Sequence, residues 1–327
     1  MKFISKVIAL VLALSCALLM CACGKTEIAN KFDYSRISAS GNPSNDYIDT
    51  RMTFLSDGLC VTDADDIDVE GINPVYIEAA GVFNLSTKEV MYAHNIFEKN
   101  YPASTTKIMT AYLAIKYGNL DDYVTVSERA CRLPSGASEA GLRAGDIISV
   151  RDLLYGLILV SGNDSAICLA EYISGSVEAF AELTNNELKK IYATDTNFVN
   201  PNGIHDDDHY TSCYDLYLIF NEALKNPTFL DLINTVSYEA SVTHKNGETG
   251  VLKYKTTNKF LSGEVSFPDS YSIIGGKTGT TFDAGKCLVL LTINGKGEQV
   301  VFITLGADSK ERLYGFMAEM MRGVESK

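Results

Sequence analysis

Blocks of apolar and polar positions divide this chain, and each block has its own period. VYIEAAGVFNLSTKEVMYAHN, residues 75–95, reads as two strands joined by a turn at Asn84 to Lys88, because apolar runs of strand length flank turn-forming residues. An apolar helix starts just past a proline in YPASTTKIMTAYLAI, residues 101–115. Residues 149–174, SVRDLLYGLILVSGNDSAICLAEYIS, read as two apolar helices broken at Ser161-Gly162-Asn163. SVEAFAELTNNELKKIY, residues 176–192, has the spacing of an amphipathic helix. TSCYDLYLIFNEALKN, residues 211–226, is another, with Thr211 or Ser212 as its cap. KCLVLLTINGKGEQVVFITLGA, residues 286–307, is a hairpin turning at Asn294-Gly295-Lys296-Gly297, with continuous apolar strands on both sides. SKERLYGFMAEMMRGV, residues 309–324, closes as a helix. No internal repeat is visible.

The order is therefore strands, many helices, then strands and a helix. The first and last hairpins can share one antiparallel sheet only if the helical middle is an insertion between them. That predicts an α/β (α+β) domain, an antiparallel sheet flanked by helices, with a mostly helical lobe.

The N-terminus departs from this pattern. In MKFISKVIALVLALSCALLMCACGK, Lys2 and Lys6 precede an apolar run from Val7 to Met20. The run is short for a membrane span and ends at small residues, which predicts a signal peptide over 1–22 and an exported protein. Ala22 before Cys23 resembles the lipobox of bacterial lipoproteins. A lipid on Cys23 would hold the chain at the outer face of the cytoplasmic membrane, against the cell wall. Met20 and Cys21 are not the commonest residues at their lipobox positions, so ordinary signal cleavage is the alternative. Residues 23–72 carry the turn-rich SASGNPSND and the acidic DADDIDVEG, and predict a polar tether. Within it MTFLSDGLCV, residues 52–61, is apolar enough to dock on the domain that follows, residues 73–327.

Composition narrows the partners. The formal charge is −13, and loss of Lys2 and Lys6 with the leader takes it to −15. That argues against nucleic acid and against adhesion to anionic surfaces, and any anionic substrate needs a locally positive pocket. Removing the leader leaves Cys23 with Cys60, Cys131, Cys168, Cys213 and Cys287. Five widely spaced thiols make neither a disulfide framework nor a CxxC-type metal pattern. Cys168 reads as a buried helix position, and a single disulfide among the five stays open.

Three short strings carry candidate chemistry. Ser104-Thr105-Thr106-Lys107 puts a serine and a lysine at i and i+3, on one helix face and within reach of each other. A serine hydroxyl needs a base beside it, and a desolvated lysine with a lowered pKa can be that base. A helix start adds free N–H groups where an oxyanion could form. Read alone, the string is also an ordinary helix cap. Ser161-Gly162-Asn163 breaks an apolar run. It is either a tight turn between packed helices or a hydroxyl and an amide presented into a cleft. Lys277-Thr278-Gly279 on a strand could bind a carboxylate, its glycine letting a substrate backbone approach closely; otherwise it is a strand with a surface lysine.

S-x-x-K, then S-G-N 57 positions on, then K-T-G another 116 positions on, is the order of the serine penicillin-recognising enzymes. The segments ASTTKIMTA, GLRAGDIISVRDLLYGLILVSGNDSAICLAEYISGSVEAF, FVNPNGIHDDDHYTSCYDL and GGKTGTTFDAGKCLVL fall in order between about residues 75 and 310. With them the chain resembles the D-alanyl-D-alanine carboxypeptidases among the low-molecular-mass penicillin-binding proteins. The resemblance implies a β-lactamase/transpeptidase-like fold. It implies that Ser104 forms an acyl-enzyme, Lys107 takes its proton and Ser161 relays a proton toward the leaving amine. Asn163 would hold the substrate amide and orient Lys107. Lys277 would supply positive field, Thr278 would receive the terminal carboxylate, and the N–H groups of Ser104 and Thr280 would form the oxyanion hole, with Gly279 between them and the lysine. The partners implied are peptidoglycan pentapeptide stems and β-lactam antibiotics, with no metal or organic cofactor.

Two departures stand out. Many relatives carry a C-terminal β-rich domain with a membrane-attaching helix, whereas this chain ends about 50 residues after K-T-G. Where relatives often have arginine after a T-N pair, this chain has Thr257-Asn258-Lys259, a point charge in place of a bidentate fork. The alternatives are an endopeptidase of wall cross-links using the same residues, a class A β-lactamase, and a wall-binding lipoprotein without turnover. The β-lactamase reading lacks its E-x-x-L-N string between Glu187 and Asn202.

Overall fold

The computed structural model describes residues 58–325. In chain order, β1 (Ala79–Asn84) and β2 (Glu89–His94) lead through a 3-10 turn (Ala103–Thr106) into α1 (Lys107–Tyr117). Next come β3 (Tyr123–Thr125), β4 (Ile147–Ser149), α2 (Val150–Leu159), α3 (Asn163–Ser174), α4 (Val177–Lys190), α5 (Cys213–Ala223) and α6 (Pro227–Asn234). The chain closes with β5 (Ser237–Thr243), β6 (Thr249–Lys255), β7 (Ser272–Thr280), β8 (Lys286–Ile293), β9 (Gln299–Ala307) and α7 (Lys310–Glu325).

The first and last hairpins do share one sheet. Its order is β2-β1-β9-β8-β7, and β1 pairs antiparallel with β9 from Ala79↔Leu305 to Asn84↔Val300. The helical middle is thus an insertion. Both faces of the sheet are covered, which is why its central strands are apolar on both faces over most of their length. Val82, Leu288, Leu290 and Phe302 face one way and meet Leu313, Met317, Met320 and Met321 of α7. Their neighbours Phe83, Val289, Leu291 and Ile303 face the other way, into the core shared with α1, α2 and α5. β7 lies at the edge of this sheet. Among the described residues no further strand pairs with its outer side.

Local chemistry sets the element ends. Asn84 Oδ1 accepts from the N–H groups of Ser86 and Thr87, fixing the first hairpin turn. Ser149, Ser176 and Ser212 each accept an N–H from the first turn of α2, α4 and α5. Ser212, not Thr211, is therefore the cap of α5.

A second sheet, β3-β4-β5-β6, belongs to the helical lobe and lies outside what the apolar pattern predicts. The expected leader and the lipidation site Cys23 lie outside the described residues. Residues 58–72 lie on the domain and do not hang from it. Cys60 is buried, its N–H donates to Tyr217 Oη at 2.7 Å and its carbonyl accepts from Tyr214 Oη at 2.8 Å. Ile67 bridges to Ala93 of β2. The thiols of Cys60, Cys131, Cys168, Cys213 and Cys287 are all free.

Candidate active site

The serine–lysine pair sits in a tighter turn than the sequence predicts. Pro102 precedes a 3-10 turn that ends at Thr106, and the α-helix proper begins at Lys107. Three residues per 3-10 turn place i and i+3 side chains in line, so Ser104 and Lys107 eclipse one another. Lys107 Nζ stands 3.0 Å from Ser104 Oγ. The residue before the serine, Ala103, has φ of +48°, a left-handed conformation that side-chain-bearing residues seldom adopt. The neighbouring loop holds it there. A Cβ on Gly203 would lie 1.8 Å from the Ala103 carbonyl oxygen, so only glycine lets that loop close over the turn.

Lys107 is wholly buried. Its Nζ contacts Ser104 Oγ, Asn163 Oδ1 at 2.8 Å and the Asn202 carbonyl at 2.6 Å. Asn163 Oδ1 and the Asn202 carbonyl can only accept. A neutral amine has two N–H bonds and one lone pair; in that form Lys107 would give its two hydrogens to those acceptors and turn its lone pair to the serine hydroxyl. Burial first, and Lys277 second, push the Lys107 pKa well below the ordinary lysine value, with Asp164 opposing.

Ser161 also has positive φ, +61°, which turns its hydroxyl toward Lys277 across the break between α2 and α3. Lys277 Nζ donates to Ser161 Oγ at 3.0 Å and to the Thr278 carbonyl at 2.8 Å. Lys277 is buried as well, and that burial lowers its pKa to about 7. Asp164, next to the motif, gathers the backbone N–H groups of Ala140, Gly141, Leu142 and Ser165 at 2.8 to 3.1 Å. It clamps residues 138–142 over the break, where Asn163 N–H also donates to the Ser138 carbonyl.

Gly279 makes a closer approach than expected, and to a different partner. A Cβ there would lie 2.9 Å from the Pro102 carbonyl and 3.1 Å from Ser104 N. The missing side chain lets β7 press against the turn that carries Ser104. Thr278 Oγ1 is 2.6 Å from Thr257 Oγ1, joining the K-T-G strand to the T-N-K segment. Lys259 itself is held through its backbone, its N–H donating to Tyr314 Oη at 2.9 Å.

These residues line one cleft of about 300 Å³, whose walls include Ser104, Ser161, Thr257, Lys259, Thr278, Gly279, Thr280, Lys286 and Lys310. Lys107, Asn163 and Lys277 stand beneath it through the bonds above. Among the described residues, Lys259, Lys286 and Lys310 have no ion-pair partner. An acidic chain thus keeps a basic cleft, suited to an anionic ligand. A larger cavity of about 600 Å³, lined by Leu59, Leu85, Lys190, Tyr192 and Leu224 among others, holds none of the three motifs. Among the described residues no cluster of three or more histidine, cysteine or carboxylate side chains could hold a metal.

The three strings are thus brought together. Sequence reasoning missed Asp164, Asn202 and the buried His209. Asn202 and His209 lie in the polar N-P-N-G and D-D-D-H run, and Asp164 directly follows the S-G-N string.

An antiparallel sheet backed by a helical lobe, with a buried lysine against a serine at the edge strand, defines the fold of the serine penicillin-recognising enzymes. The crystal structure of the Streptomyces K15 DD-transpeptidase is similar at TM-score 0.72 and 29% identity, covering 80% of this chain and all of that one. The chain belongs to the D-alanyl-D-alanine carboxypeptidase family, whose model matches residues 73–309. It is 31% identical over 240 residues to D-alanyl-D-alanine carboxypeptidase DacF of Bacillus subtilis, covering 72% of this chain and 59% of that protein. It is 32% identical over 238 residues to D-alanyl-D-alanine carboxypeptidase DacD of Escherichia coli, covering 70% and 58%. The chain therefore spans about three fifths of the length of these curated relatives.

Proposed function

We propose that this chain is a serine-type D-alanyl-D-alanine carboxypeptidase. It removes the terminal D-alanine from peptidoglycan stem peptides through an acyl-enzyme on Ser104, and β-lactams acylate the same serine. The observation that carries this reading is the wholly buried Lys107, hydrogen-bonded to Ser104 Oγ and ringed by neutral acceptors.

Neutral Lys107 takes the Ser104 proton as Oγ attacks the carbonyl between the two terminal D-alanines. The negative charge that forms on that oxygen is met by the N–H groups of Ser104 and Thr280. Such a donor pair acts where charge develops, and each donor contributes about 10²–10³-fold. The C–N bond breaks, and the proton reaches the leaving amine through Ser161, whose hydroxyl Lys277 orients. Thr278, backed by Thr257 and Lys259, receives the terminal carboxylate. Water then attacks the acyl-enzyme, releases the shortened peptide and restores Ser104.

Cys23 is the anchoring residue in this reading, and the leader and lipobox pattern of residues 1–23 supports it. The site would then face the wall from the outer side of the membrane. Among the described residues no helix is long and apolar enough to cross a membrane. The name of the K15 relative, a transpeptidase, favours a second reading, in which an amine replaces water as the acyl acceptor.

The test uses the purified chain from residue 24 with a diacyl-L-Lys-D-Ala-D-Ala peptide, a free D-alanine assay and an intact mass after penicillin. The expected result is D-alanine release and a penicilloyl adduct, both lost in Ser104→Ala. An adduct with D-alanine release only when an amine is added supports transfer. An adduct with no release points to cross-link cleavage. Rapid penicillin hydrolysis, or an adduct on Ser104→Ala, contradicts the proposal.

A further inference from the structure

His209 is buried, stacked on Phe198 at 4.7 Å between ring centroids, and has no part in the chemistry above. Its two ring nitrogens are both engaged. Nδ1 accepts the Val199 N–H at 3.1 Å, so in the neutral ring the proton sits on Nε2. Nε2 lies 2.8 Å from Thr106 Oγ1 and donates to it. Thr106 Oγ1 in turn donates to the Ala103 carbonyl at 2.8 Å. Every proton in this chain of three bonds therefore has one direction, from the Val199 backbone to Ala103 O. Burial keeps the ring neutral by lowering its pKa to about 4. Asp206 opposes that shift.

The end point matters because of what shares its peptide plane. Ala103 C=O and Ser104 N–H belong to one trans peptide and point opposite ways. That peptide follows a residue at φ +48°, so its orientation is not the one a relaxed helix start would choose. Ser104 N–H has no hydrogen-bond partner among the described residues. A hydrogen bond received at the carbonyl end holds the plane and polarises the N–H at the other end.

We propose that His209 is a positioning residue for the oxyanion hole, acting through Thr106 to fix the Ala103–Ser104 peptide so that Ser104 N–H faces the cleft. The inference rests on the acyl-transfer reading above. Its substrate is the same, but it assigns His209 and Thr106 a role in the transition state, not in substrate binding.

The test compares wild type with His209→Phe, Thr106→Val, the double variant and His209→Gln. Glutamine carries an acceptor and a donor at about the spacing of the two imidazole nitrogens. His209→Phe and Thr106→Val should each lower kcat for D-alanine release about 10- to 100-fold with KM little changed, a fraction of the loss seen when an oxyanion donor is deleted outright. A boronic acid that forms a tetrahedral adduct on serine should lose affinity by a similar factor. The double variant should be no worse than the poorer single variant, and His209→Gln should regain most of the rate. Wild-type kcat in Thr106→Val, which alters only one hydroxyl, overturns the inference. So do losses that simply add, and boronate affinity unmoved while melting temperature falls. A wild type that neither releases D-alanine nor takes up penicillin overturns the carboxypeptidase reading and this inference together. A reactive wild type matched by His209→Phe overturns the inference alone.

Discussion

The two ends of α1 carry the same side chain in opposite states. Lys107, at its first residue, is wholly buried among neutral oxygens, and its pKa is driven down. Lys116, near its last, reaches the carboxylate of Glu187 at 2.5 Å, and that bond raises its pKa. Burial alone raises the Glu187 pKa, but bonds from Lys116, Lys190 and Tyr117 reverse this and bring it down to about 2. The partner decides the use. Burial with only uncharged acceptors drives the pKa of the amine down, whereas a carboxylate turns it into a lasting cation that ties α1 to α4. One helix holds a lysine of lowered pKa at one end and a structural clamp at the other.

Removing the base should have the largest effect. Lys107→Met is expected to lower the rate of penicillin acylation at least 10³-fold, at the upper end of what a general base supplies. Stopped-flow acylation measures this, with circular dichroism showing the fold retained. A loss under tenfold would mean that another group takes the Ser104 proton.

A gentler change converts one end of the helix into the other. Asn163→Asp puts a carboxylate where the amide oxygen now lies 2.8 Å from Lys107 Nζ. The pKa of Lys107 should rise, and the acid limb of the acylation profile should move to higher pH. At pH 7 the rate is expected to fall about 10- to 100-fold, because each tenfold loss of neutral amine follows from a pKa higher by about one.

The reverse change belongs at the clamp. Glu187→Gln removes the charge that Lys116 and Lys190 share and should cost about 1–3 kcal/mol in urea unfolding, with kcat unchanged. Because the folded pKa of Glu187 lies below its ordinary 4.5, its contribution is full above 4.5 and fades as pH falls toward 2. The stability gap between wild type and Glu187→Gln should therefore close over that window.

A last effect concerns Lys277, whose folded pKa of about 7 lies below the ordinary lysine value of 10.5. Between those values the unfolded chain binds the extra proton, so stability should rise with pH from 7 to 10.5. Lys277→Met should flatten that rise in parallel urea titrations.

Much of this arrangement was legible in the sequence. The paired apolar hairpins of 75–95 and 286–307 carry the sheet because both its faces are buried and the strands need no alternation to be seen. The three motif strings are local, and their order is informative. The second sheet was not legible. β5 and β6 are half exposed, and only Ala240, Val242 and Tyr254 of their fourteen residues are buried, too few to stand out as a period. Asp164 and His209 were hidden for another reason. Asp164 satisfies N–H groups 22 to 24 residues away, and His209 meets Thr106 across 103 residues. Such pairings exist only once the chain has folded. The strained turn at Ala103 was equally invisible, since alanine gives no hint of positive φ.

The central claim is that Lys107 is a neutral base at working pH, and the wild-type pH profile of penicillin acylation tests it most directly. A rate that rises with pH to a plateau, with its inflection well below the ordinary lysine value and shifted upward in Asn163→Asp, is the expected result. An inflection at the ordinary lysine value, or one that Asn163→Asp leaves unmoved, contradicts the account.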